Sequence, residues 1–79
     1  MKNIKDFIQE RVNECEKRSM NWEEKIQSYT KRMKNADDEQ SLNMYKFERQ
    51  QCIGKKNELL AVADFCNELL QTYFNSTSL

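Results

Sequence analysis

Lys31-Arg32-Met33-Lys34-Asn35-Ala36-Asp37-Asp38-Glu39-Gln40-Ser41, in the middle of a 79-residue chain, passes from three basic side chains to three acidic ones. Cations suit the carboxyl end of a helix and anions the amino end of the next, because unpaired backbone carbonyls and amides leave partial charges there. Asp37, followed three residues later by Gln40, resembles a capping box with Asp in place of the usual Ser or Thr. The stretch reads as a reversal between two helices, with a loop at about 36–40, although it contains neither Gly nor Pro. A connection this short makes the helices antiparallel neighbours.

Periodicity on either side supports the break. Ile8, Val12, Cys15, Ser19, Trp22, Ile26, Tyr29, Met33 and Ala36 alternate by gaps of four and three, and only Ser19 is polar. That is the spacing of a coiled-coil seam. A second series runs Leu42, Tyr45, Arg49, Cys52, Lys56, Leu59, Ala63, Cys66, Leu70 and Tyr73, interrupted only by Arg49 and Lys56. The two series are out of phase by two residues, whereas a continuous rod tolerates shifts of three or four. The absence of Pro and the single Gly, at position 54, favour helix along most of the chain. The expected fold class is therefore all-α: a coiled-coil-like antiparallel two-helix hairpin in one domain, 1–79. Helix 1 covers about 3–35, helix 2 about 41–74, and a polar flexible tail 75–79.

Reversal near residue 38 sets a pairing register, since both helices rise equally per residue. Ile26 falls near Arg49, Val12 opposite Ala63, and Trp22 opposite Ile53 and Gly54. Gly54 is then expected to make room for the indole, so that a larger side chain there overpacks the seam at a cost of about 1–3 kcal/mol.

A chain this short buries little surface alone, and disulfides, metals or self-association are the usual reinforcements. Three cysteines without C-x-x-C spacing, and no His, leave neither a disulfide framework nor a zinc site readable. Self-association remains. Residues 59–74 reinforce this reading, because eleven of the sixteen are apolar or aromatic and spread too far round the helix for one partner helix to cover. The residues left over beside the seam are Ile4, Phe7, Val62, Phe65, Leu69 and Phe74, all toward the end away from the loop. They form the expected partner-binding set, for a second copy, a dimer being favoured, and for a different protein.

Arg11, Arg18, Lys25 and Arg32 recur every seven residues on one edge of helix 1, and Glu16, Glu23 and Asp37 lie on the other. Parallel pairing of two first helices would join these edges, Arg11 to Glu16 and Arg18 to Glu23, and is an alternative to the hairpin. The same basic edge is also the alternative site for nucleic acid, as a phosphate-tracking stripe. Against that stand the nearby acidic edge and the apparent lack of interleaved aromatic rings. Thirteen basic and thirteen acidic residues likewise give no net charge with which to coat a polyanion.

Catalysis is not expected. There is no His to move protons near neutrality, no Gly-rich phosphate loop, and no carboxylate pair at seam positions where burial would shift a pKa. Cys15, Cys52 and Cys66 occupy seam positions, where a thiol is usually a small buried hydrophobe. No cofactor or metal is expected, and no stretch approaches a membrane span or a secretory signal, so cytoplasm is the expected compartment. At the end of the chain, Asn75-Ser76-Thr77 fits a glycosylation acceptor and Thr77-Ser78-Leu79 a PDZ-binding terminus, forms short enough to arise by chance. The expectation is a non-enzymatic interaction module that self-associates and acts as an adaptor, regulator or inhibitor of a partner protein.

Overall fold

A computed structural model describes residues 3–75; the two carboxy-terminal motifs and residues 76–79 of the expected tail lie outside them. Asn3 accepts a hydrogen bond from the Asp6 amide at 2.9 Å and opens helix α1, Ile4–Lys34. Helix α2 follows at Glu39–Leu70 and ends in one π-helical turn, Gln71–Asn75. The two helices pack against each other as a hairpin of 59 × 22 × 15 Å.

The reversal needs no glycine because no described residue has a positive φ. Asn35 donates its amide to the carbonyls of both Lys31 and Arg32, at 3.3 and 3.2 Å, and Ala36 donates to Met33 at 3.4 Å. Tightened bonds of this kind satisfy the last carbonyls without a left-handed residue. The cap of α2 is Asp38, one residue later than the expected Asp37. The reason lies at Ser41, which donates its amide to Asp38 Oδ1 at 2.6 Å and its hydroxyl to Oδ2 at 3.1 Å. Only a cap three residues before Ser41 can collect both donors. The backbone bond from Ser41, then its hydroxyl, hold the Asp38 carboxyl below its ordinary pKa of 3.8. Its contribution to stability is therefore complete above that value and is lost as the pH falls through the lowered one. Acid titration of the melting temperature should show this loss, and Asp38→Asn should flatten that part of the curve.

Among the described residues, all eight that are buried belong to the two seam series: Val12, Cys15, Ser19 and Ile26 from α1, and Cys52, Ala63, Cys66 and Leu70 from α2. The core is thin, since one helix covers one helix and no large side chain is fully enclosed. Tyr73 departs from its series at 67% exposed. The π turn accounts for this: one extra residue in the turn rotates the seam forward by one position. Phe74 takes the inward place and packs, with Ile8, against Val12, Cys66 and Leu70.

Two polar pairs cross the seam. Arg49 Nε donates to Thr30 Oγ1 at 2.9 Å, and Lys56 Nζ lies 3.4 Å from Glu23 Oε2, in ion-pair range but outside hydrogen-bond geometry. Arg49 and Lys56, the two exceptions to the apolar pattern, thus reach polar partners one heptad apart on α1. Arg49 meets Thr30 and not Ile26, so the register is displaced from the expected one. Side chains lean toward the amino end of each helix, and in an antiparallel pair this advances the touching residues by about one position on both chains. The Trp22 and Gly54 contact fails as well, because Gly54 lies midway between the seam positions Cys52 and Lys56, on the side of α2 turned away from α1. A Cβ on Gly54 would meet nothing within 4 Å, so the glycine makes room for no indole and an added side chain overpacks nothing in the hairpin.

Candidate protein-interaction surfaces

Seven-residue spacing sets Arg11, Arg18, Lys25 and Arg32 along one long side of the hairpin. Across it, Arg18 and Trp22 share a shallow groove of about 420 Å³ with Lys55, Leu59 and Val62. A second groove of about 460 Å³ continues from Trp22 past Lys25, Tyr29 and Arg32 to Glu48 and Cys52. Helical position puts Ile4, Phe7, Phe65 and Leu69 on this same side, toward the open end. Ile4 is 70% exposed, Phe65 61%, Phe7 59% and Val62 40%. Leu69 is half-buried. Phe74 is placed differently, half-buried on the core cluster, so its ring is shared between packing and surface.

Aromatic rings do interleave with the basic edge, contrary to the sequence expectation. Lys25 Nζ stands 4.4 Å from the centre of the Trp22 ring, and the Arg32 guanidinium 5.3 Å from that of Tyr29. A seam aromatic and a cation three residues on are neighbours on a helix surface, which the heptad positions alone could have shown. Each cation covers the ring it approaches and leaves that face less free for a base. Arg18 pairs with Glu14 at 3.8 Å. Within the hairpin α2 covers the α1 seam, and Lys56 engages Glu23, one of the acids on the other edge of α1.

Three exposed apolar residues escaped the sequence reading, Met20 at 68%, Phe47 at 62% and Met44 at 56%, whereas Leu60, at 37%, belongs to the apolar stretch 59–74 read above. Writing out the rows on the outer side of α2, and not only its seam, would have found Met44 and Phe47. The three cysteines are free and buried, and no group of three or more metal-binding side chains occurs among the described residues. None of the described helices is long and apolar enough to cross a membrane. Compared with family models, curated proteins and solved structures, the chain matches none.

Proposed function

We propose that this chain is a small protein-interaction module that self-associates and acts by occupying the surface of a partner protein, with no chemistry of its own. One observation carries the reading: Ile4, Phe7, Val62 and Phe65 are 40 to 70% exposed on one side of the hairpin, toward its open end. Leaving several large apolar side chains together in water forgoes the free energy of burying them, and such patches mark interfaces. The basic edge beside them supports a second reading as a nucleic-acid surface, since Arg11, Arg18, Lys25 and Arg32 recur every seven residues along one side. A binding assay separates the two, comparing Phe7→Ala and Phe65→Ala with reversal of the four basic charges.

A further inference from the structure

Helix α2 has an outer face unlike that of α1. Met44, Phe47, Gly54, Ala61 and Phe65 share one row on the side turned away from α1, and all are exposed. Gln51 and Glu58 fill the gaps. The corresponding row on α1 begins at Phe7 and then holds only polar residues, Glu10, Glu14, Lys17, Asn21, Glu24, Ser28 and Lys31, the pattern of a solvated face. From Met44 to Glu68 the α2 row carries only Glu58 and Glu68 as charges. Charge depletion with aromatic and Met enrichment is the composition of an interface core. Gly54 fits the same account, since it costs helix stability and nothing within the hairpin uses the space it leaves.

Resting on the self-association proposed above, we infer that this outer face is the surface through which two copies join, antiparallel, α2 on α2. Phe47 and Phe65 stand equally far, nine residues, on either side of a centre between Gly54 and Glu58. Antiparallel pairing about that centre sets Phe47 against Phe65 of the second copy, and Gln51 against its Ala61. Lys55 then comes level with Glu58 of the second copy, and two-fold symmetry makes that attraction twice. Parallel pairing would instead stack Glu58 on Glu58 and Glu68 on Glu68, like charges within the seam. The joined hairpins form a four-helix assembly whose open-end residues Ile4 and Phe7 stay free for a different protein.

Sedimentation equilibrium of the full chain should give twice its 9.5 kDa mass. Phe47→Asp should raise the dimer dissociation constant by roughly tenfold or more, as expected for a central aromatic anchor, with helix content unchanged because Phe47 is 62% exposed in the hairpin. Gly54→Leu should keep the hairpin folded and still weaken the dimer. A chain carrying Gln51→Cys and Ala61→Cys should form, on oxidation, an intermolecular disulfide that peptide mapping assigns to 51 and 61. A wild-type monomer at micromolar concentration would overturn self-association altogether. A dimer that survives Phe47→Asp and yields no such disulfide would overturn this face alone and place the contact elsewhere.

Discussion

Phe7→Ala and Phe65→Ala should each weaken association by about 2 kcal/mol, the scale of a central aromatic anchor, Phe7→Ala that with a different protein and Phe65→Ala that with a second copy. The effect should be readable as binding, because these rings are 59 and 61% exposed and contribute little to the hairpin. Phe74→Ala serves as the contrast. Its ring packs on Val12, Cys66 and Leu70, so the same truncation should lower the melting temperature together with affinity. Reversing Arg11, Arg18, Lys25 and Arg32 should change affinity much less, since edge charges mainly tune encounter and specificity. Sedimentation equilibrium of the four variants for self-association, and isothermal titration against a protein that co-purifies with the chain, check the order. Normal binding by the folded phenylalanine variants, with binding abolished by the charge reversal, would transfer the function to the basic edge and its second reading.

Ile26→Ala should cost about 3 kcal/mol of folding free energy, because a buried aliphatic truncated in place loses its transfer energy and leaves a cavity. Ile26 is 6% exposed in the middle of the seam. A domain of this length has on the order of 4–12 kcal/mol in total, so the urea midpoint should fall steeply. Met20→Ala, at a position 68% exposed, should stay within about 0.5 kcal/mol. Equal midpoints for the two variants would mean that the seam is not the core.

The seam was legible because its signal is repeated: gaps of three and four recur along both helices, and any slip of phase would have turned polar residues inward. The reversal was legible from charge, since Lys31, Arg32 and Lys34 end one helix and acids begin the next. The register was not. It depends on the lean of side chains and on whether Asp37 or Asp38 caps α2, a choice made by the hydroxyl of Ser41 and not by any longer pattern. Gly54 misled for a different reason: its level along the hairpin was matched to Trp22 without its helical phase, which sets it midway between the seam positions Cys52 and Lys56 and away from α1. Tyr73 and Phe74 exchanged roles because a π turn leaves no periodic trace before it occurs. Of the candidate surface, the exposure of Ile4, Phe7 and Phe65 follows from their distance from the seam positions. The row on the back of α2 was hidden by attention to the front.

The elongated hairpin, with its core drawn out along one seam, makes the molecule a zipper with a fixed end. Tyr29 and Tyr45, with rings 6.3 Å apart, lie toward the loop, whereas Ile8 and Phe74 join chain segments far apart in sequence. A layer near the loop closes a short segment, and each later layer is held by the one before it. Melting from the open end therefore releases layers one at a time and leaves those nearer the loop in place. Amide exchange should be fastest in residues 4–10 and 66–74 and slowest in 26–33 and 42–52; uniform protection along both helices would instead show a single cooperative unit. The end that carries Ile4 and Phe7 is thus the end that opens at least cost. A partner docking there would hold shut the part of the chain least able to hold itself, so that binding is felt as added stability far beyond the residues touched.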